Sequence, residues 1–239
     1  SGYDGTEWQW TRSRNIIQQA ISAPTWYHLW YFYALIPLYL AVPLLRLWLP
    51  TLSDQQIHRW LAFWLALTLF DWFKIGDAWI PDLVIYLGYL VLGWYLFNRD
   101  QRANEQLWLI AGIAMLAFNF FGSWQLSLAA GQTHVFFMGY THFNTAIIAG
   151  MVFVMAQIYA TRITGQCRQL VGLISQYSLG IYLIHPLLLI PARSASNSDY
   201  AWFGSDWLAI VCFTLLTLCL SLLATMALAK LPIIKKIVP

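Results

Sequence analysis

Seven long apolar stretches, separated by short polar connections, run along this chain of 239 residues. The first, residues 28–49, has no acidic or basic side chain between His28 and Arg46. About 20 mostly apolar residues are enough to cross a hydrocarbon layer. The other stretches are residues 60–73, 83–97, 107–128, 137–159, 170–190 and 207–229. The pattern predicts an all-α, polytopic membrane helix bundle with about seven transmembrane helices.

The composition agrees with a membrane protein, because 60% of the residues are hydrophobic and only 10% are charged. Soluble domains are about 25% charged. The formal charge of +3 is too small to indicate a nucleic-acid partner. Three cysteines give neither a disulfide framework nor a zinc spacing. We therefore predict one membrane domain over residues 26–239 after a polar, extracytoplasmic segment at residues 1–25, with no metal and no tightly bound cofactor.

The distribution of basic residues predicts the orientation of the helices. The connections after spans one, three, five and seven hold nine of the 13 basic residues: Arg46, Arg59, Arg99, Arg102, Arg162, Arg168, Lys230, Lys235 and Lys236. The other side holds four: Arg12, Arg14, Lys74 and Arg193. Lys and Arg are enriched in cytoplasmic loops. The chain is therefore predicted to start outside the cytoplasm and to end inside it.

In this orientation four of the five histidines lie near the outer surface, namely His28, His134, His142 and His185. Imidazole exchanges protons near physiological pH, so histidines that converge on a cavity suit general acid or base work on a hydroxyl group. His28 has a structural alternative, since it lies among aromatic residues that anchor a helix at a membrane surface. We read His134 and the cytoplasmic His58 as ordinary loop residues.

A polar stripe marks the sixth stretch. Ser178, Tyr182 and His185 are spaced by four and three residues and share one helix face, and Pro186 removes a backbone donor beside them. Polar groups in lipid face the bundle interior or a cavity. The alternative is a buried histidine that ties helices together. His142, close to Asn144, has the same two interpretations.

Two segments resemble one known family. Residues 27–45, which begin Tyr27-His28-Leu29-Trp30, and residues 172–186, which end in His185-Pro186, are similar to motifs of the acyltransferase 3 family of integral membrane acyltransferases. Within the family, the similarity is greatest to O-acetyltransferases that modify surface polysaccharides such as enterobacterial common antigen.

This resemblance implies a bundle of about ten helices in the bacterial inner membrane. Such a bundle transfers an acyl group, usually acetyl from acetyl-coenzyme A, to a sugar hydroxyl of a lipid-linked or exported glycan. The family's catalytic histidine lies in its first helix, and the chain matches the last seven, so the chain alone is expected to be inactive. The supporting candidates are His28, His142 and His185. The substrate-binding candidates are Trp30, Asn144, Ser178 and Tyr182.

Other classes of membrane protein fit parts of the pattern. A transporter could relay protons through the histidines and Asp71. Seven spans also suggest a receptor or a retinal photoprotein, but a retinal Schiff base needs a lysine within a span, and the last span has none before Lys230. The transporter is therefore the main alternative to the acyltransferase.

Overall fold

A computed structural model describes residues 30–73, 82–195 and 206–230. All long elements in these ranges are α-helices: α1 Trp30–Trp48, α2 Asp54–Phe73, α3 Asp82–Asn98, α4 Glu105–Ala130, α5 Phe143–Tyr159, α6 Gly165–Gln176, α7 Ser178–Ala195 and α8 Asp206–Leu228. The chain divides into two compact units, residues 1–160 and 161–239. The predicted all-α, polytopic fold is confirmed.

Length and composition identify four candidate membrane spans among the described residues, at Ala34–Thr51, Arg102–Ala130, Phe143–Arg162 and Leu208–Leu228. A fifth is possible if the bent pair α6 and α7 counts as one span. Helix α3 is apolar but has only 17 residues. Each of the seven predicted stretches coincides with a helix or with this bent pair, while the number of crossings stays a prediction.

The second predicted stretch was too short, because α2 begins at Asp54 and not near Trp60. Ser53 and Gln56 form a capping box before its first turn. The backbone N–H of Ser53 donates to Oε1 of Gln56 at 2.8 Å, and the N–H of Gln56 donates to Oγ of Ser53 at 3.3 Å. Such reciprocal bonds satisfy orphan donors at a helix start. His58 therefore lies on a helix and not in a loop.

Two other predicted boundaries also move. Helix α5 begins at Phe143, after a short 3-10 turn at Phe136–Met138, so the predicted start at residue 137 was wrong. The predicted span 170–190 is broken at Tyr177, where the chain bends by 72° between α6 and α7. The polar residues of α6 explain the break, because a helix with one polar face is not suited to hydrocarbon.

The core of the first unit lies between α2, α3 and α5. Its buried side chains are Ile57, Leu61, Trp64, Leu92, Leu96, Ala146 and Val154. The indole N–H of Trp64 donates to the carbonyl of Ile85 at 2.8 Å, and the Trp64 ring lies against Gly88. In lipid, small residues allow helices to approach closely and polar bonds join them.

The second unit is built on α7 and α8. Gly180 faces Thr225, and a Cβ at position 180 would lie 2.1 Å from Cγ2 of Thr225. Ala209, Phe213 and Ser221 are buried. The apolar side chains on the outer faces of both units are widely exposed, as expected for helices whose solvent is lipid.

We expect Gly88→Ala to lower the free energy of unfolding by about 1–3 kcal/mol, because its Cβ would lie 2.1 Å from Nε1 of Trp64 and over-packing has this effect. Gly93→Ala is the control on the same helix, since its Cβ would meet nothing within 4 Å. Thermal unfolding in detergent measures both variants. Equal loss in the two would contradict the Trp64 contact.

Candidate functional site

His185 opens on a cavity between α7 and α8. The cavity has a volume of about 430 Å³, which is within the range of about 300–1,000 Å³ for small-molecule sites. It is lined by Ile181, His185, Leu189, Ile210, Phe213, Thr214, Thr217 and Leu218. Most of these side chains are apolar, so the imidazole and the two threonine hydroxyls are the polar groups that can orient a ligand.

One local bond of the His185 ring indicates which of its two nitrogens donates. Nδ1 lies 3.3 Å from the carbonyl oxygen of Ile181, one helical turn earlier. A carbonyl oxygen can only accept, so Nδ1 is the donor in this bond, and Nε2 is the acceptor nitrogen whenever the ring is neutral. This tautomer suits an imidazole that receives a hydrogen bond from a hydroxyl group.

The structure brings Tyr182 and His185 together, with ring centroids 5.8 Å apart. Ser178 is the first residue of α7 and is exposed. Seven residues separate it from His185, which corresponds to about 10 Å along a helix. Of the predicted stripe, Tyr182 therefore adjoins the cavity-lining histidine, and Ser178 lies at the start of the helix.

His142 lies at the start of α5 in a different setting, within an aromatic cluster. It is the residue that precedes the first turn of α5, and its ring lies edge-on to Trp72 at 4.8 Å. Phe136 packs beside it at 5.3 Å. Next to it, the hydroxyl of Thr141 donates to Oδ2 of Asp71 at 2.9 Å. A spacing of three residues would also allow Asp71 to pair with Lys74 on one helix face, but position 74 lies outside the described residues.

Asn144 is fully buried and joins two helices. Its side-chain N–H₂ donates to Oδ1 of Asn119 on α4 and, at 2.8 Å, to the carbonyl of Phe137. These bonds fix the turn that precedes α5. A substrate-binding role for Asn144 stays a prediction, and the observed contacts are those of a residue that holds the turn in place.

Two predicted site residues, His28 and Trp30, lie near the start of the first apolar stretch. His28 lies outside the described residues. Trp30 is the first residue of α1. Their predicted roles, like those of the other candidates, stay predictions.

A second cavity, of about 280 Å³, lies in the first unit and was missed by the sequence analysis. His58 and Tyr95 line it, with Nε2 of His58 2.7 Å from the Tyr95 hydroxyl. Gln101 is only 3% exposed and also lines the cavity. The capping box at Ser53 was the signal that could have found this site, because it places His58 on the second turn of α2.

An ion pair between Arg99 and Asp54 lies at the same end of the first unit. Nε of Arg99 donates to Oδ1 of Asp54 at 3.0 Å, and Nη2 donates to the same oxygen. The bond from Arg99 lowers the pKa of Asp54 and raises the pKa of Arg99. Both groups lie at helix ends outside the apolar segments. The pair therefore joins the start of α2 to the end of α3.

A family model described as an acyltransferase domain matches residues 5–226. The chain belongs to the acyltransferase 3 family. No curated protein and no solved structure matches the chain. The match begins upstream of the motifs at residues 27–45 and 172–186 and includes both of them. Membership of this family, together with the apolar helices, makes the chain an integral membrane protein of the acyltransferase class.

The described part of this acyltransferase contains no group of three or more His, Cys, Asp or Glu side chains that could hold a metal ion. Each cavity is lined by one histidine among the described residues, and its ring nitrogen is bonded to the carbonyl of Ile181 for His185 and to the hydroxyl of Tyr95 for His58. Such groups suit proton transfer and hydrogen bonding to a substrate hydroxyl.

The ion pair gives a prediction for the pH dependence of stability. A carboxyl whose pKa is lowered stabilises the folded state above its ordinary pKa of 3.8, and this contribution is lost as the pH falls through the lowered pKa. We expect wild type to unfold at a slightly higher temperature than Asp54→Asn at neutral pH, and the difference to vanish in acid. Asp100→Asn, in the adjacent loop, is the control. A difference that persists unchanged in acid would contradict this.

Proposed function

We propose that the protein is a membrane O-acyltransferase that transfers an acyl group, acetyl in the simplest case, from acyl-coenzyme A to a sugar hydroxyl of a cell-envelope glycan. The family match over residues 5–226 carries this proposal. The cavity beside His185 supports it, because it joins an imidazole to an apolar space of small-molecule size. We place the protein in the bacterial inner membrane, with its N-terminus outside and its C-terminus in the cytoplasm.

In this reaction the sugar oxygen attacks the thioester carbonyl and its proton passes to an imidazole. The C–S bond then breaks, and the sulfur takes the proton from the imidazolium and leaves as the coenzyme A thiol. Binding donor and acceptor side by side lowers the barrier by proximity. We assign His185 the role of holding the acceptor hydroxyl through Nε2, with Tyr182 beside it. This role rests on the cavity position and on the bond from Nδ1 to Ile181.

The developing oxyanion needs a hydrogen-bond donor. The hydroxyl of Thr214 already donates to the carbonyl of Ile210 at 2.7 Å. Thr217 lines the same cavity one turn further along α8. We therefore propose Thr217 as the donor to the substrate carbonyl oxygen, with Thr214 as a structural residue of the wall.

We propose that the cavity at His58 and Tyr95 binds the coenzyme A moiety of the donor. The basic-residue distribution predicts that this end of the first unit faces the cytoplasm, where acyl-coenzyme A is found. The walls are mostly apolar. The side-chain amide of the buried Gln101 forms long bonds, at 3.4 Å, to the carbonyl of Arg99 and the indole N–H of Trp108, and we propose that it exchanges them for bonds to the amides of the coenzyme's flexible arm. His28, His142, Trp30, Asn144 and Ser178 are proposed as supporting or substrate-positioning residues around the transfer path.

Two His185 variants separate positioning from proton uptake. His185→Ala removes the hydrogen bond, and we expect the KM for the acceptor to rise about tenfold, the size of one lost hydrogen bond. His185→Gln can still bond the hydroxyl, so we expect it to recover most of that loss. The assay is transfer of radiolabelled acetyl to cell-surface glycan by membranes that contain the intact protein.

His134→Ala is the matched control, since His134 is an exposed turn residue outside both cavities. Wild-type activity in both His185 variants would remove His185 from the site. A loss of 10²-fold or more in both would make it the general base instead. Absence of acetyl transfer by wild-type membranes, together with substrate flux in proteoliposomes, would favour the transporter.

The donor cavity makes a separate prediction. We expect Tyr95→Phe, which removes the hydroxyl that pairs with His58, to raise the KM for acyl-coenzyme A several-fold and to leave the KM for the acceptor unchanged. Steady-state kinetics with each substrate varied in turn measure both constants. Tyr86→Phe on the same helix is the control. A change in the acceptor KM alone would contradict the assignment of donor and acceptor to these two cavities.

A further inference from the structure

Helix α6 is an exposed amphipathic helix that lies across the end of α7. None of its residues from Gly165 to Gln176 is buried. It meets α7 at a bend of 72°. We infer that α6 lies on the membrane surface and docks on anionic phospholipid headgroups. This inference does not depend on the proposed acyl transfer.

The faces of α6 are divided beyond its first turn. At 100° per residue the apolar side chains Leu170, Val171, Leu173 and Ile174 fall within less than half of the helix circumference, a sector that also contains Gln166 of the first turn. Leu170 and Val171 are 55% and 53% exposed, while Leu173 and Ile174 are half-buried, so the second unit covers this face only in part. The opposite face carries Arg168, Gln169, Ser175 and Gln176. A helix with this division lies in the interface with its apolar side toward the acyl chains.

Helices α6 and α7 meet the criteria for a span only as a bent pair, but the length of α7 by itself brings it close to the hydrocarbon thickness. Helix α7 has 18 residues, which at 1.5 Å each span about 27 Å, close to the hydrocarbon thickness of about 30 Å. If α7 crosses near the membrane normal, the 72° bend sets α6 almost parallel to the membrane plane. The aromatic Tyr177 lies at the corner, where rings are enriched at the membrane–water boundary.

Charge identifies the lipid. The segment from Thr161 to Gln176 contains Arg162 and Arg168 and no acidic residue. Basic residues beside an interfacial helix bind anionic headgroups, each contributing about five-fold to the docked population. The positive charge and the continuity with α7, part of a predicted span, therefore favour an anionic lipid surface.

The first test reads immersion residue by residue on the full chain in vesicles of phosphatidylcholine with phosphatidylglycerol. Cys167, Cys212 and Cys219 are replaced by Ser, and a nitroxide is attached to single cysteines at each position from Gln166 to Gln176. We expect oxygen access to peak at the apolar positions and access of a water-soluble nickel chelate to peak at Arg168 and Ser175. The two profiles should alternate with a period of 3.6 residues.

High nickel access at every position would show a helix in water and would overturn the inference. High oxygen access at every position would show a re-entrant or spanning segment and would also overturn it. A periodic pattern with nickel access on the apolar face would mean that the face does not meet lipid, with the same consequence.

The second test addresses the charge. In a Leu170→Ser background, which weakens apolar docking so that both populations are measurable, we expect Arg162→Gln with Arg168→Gln to lower the docked-to-undocked ratio about thirty-fold in total. Omission of phosphatidylglycerol should have the same effect. Arg46→Gln, which removes an exposed charge from α1, is the control. A ratio that responds to neither change would overturn the assignment to anionic lipid.

Discussion

Inside a hydrocarbon layer no water is available to hydrogen-bond a polar group, and most of this structure follows from that constraint. The hydroxyl of Thr68 donates to the carbonyl of Leu65, and that of Thr225 donates to Ser221, within their own helices. Some polar groups that are not satisfied within their own helix join two helices. Asn144 is the main case, because its amide binds Asn119 on a neighbouring helix.

The same constraint makes close approach between helices important, since lipid tails are as apolar as the helix faces and packing must supply the attraction. Gly150 receives the ring of Trp108, and Gly88 receives that of Trp64. Both tryptophans also line the cavity at His58. The shape of that cavity therefore depends on two glycines that do not touch it. The volume of such a cavity follows from how the helices pack, because residues outside its lining fix the positions of the tryptophan rings.

Hydropathy predicted the location of the helices well, because the requirement for about 20 apolar residues is a property of single segments. It failed at their ends. Helix α2 starts at Asp54 since Ser53 and Gln56 form local bonds that outweigh the polar character of the first turn. The predicted sixth stretch is two helices because residues 165–176 carry a polar face. The mean hydropathy of a long window conceals such a face. Both signals were in the sequence, but as spacing and not as average hydrophobicity.

The sequence did not predict the surroundings of the histidines. His142 and His185 have similar settings in the sequence, since each lies five residues from one end of its predicted stretch and within three residues of an aromatic residue. In the structure, Trp72 and Phe136 pack against His142, while His185 opens on a cavity. Helical spacing fixes which residues share a face. It does not fix what that face meets, because in a uniformly apolar helix the partner helix makes this choice. A polar stripe therefore predicts a site only when the opposing helix leaves space, as α8 does at Thr214 and Thr217.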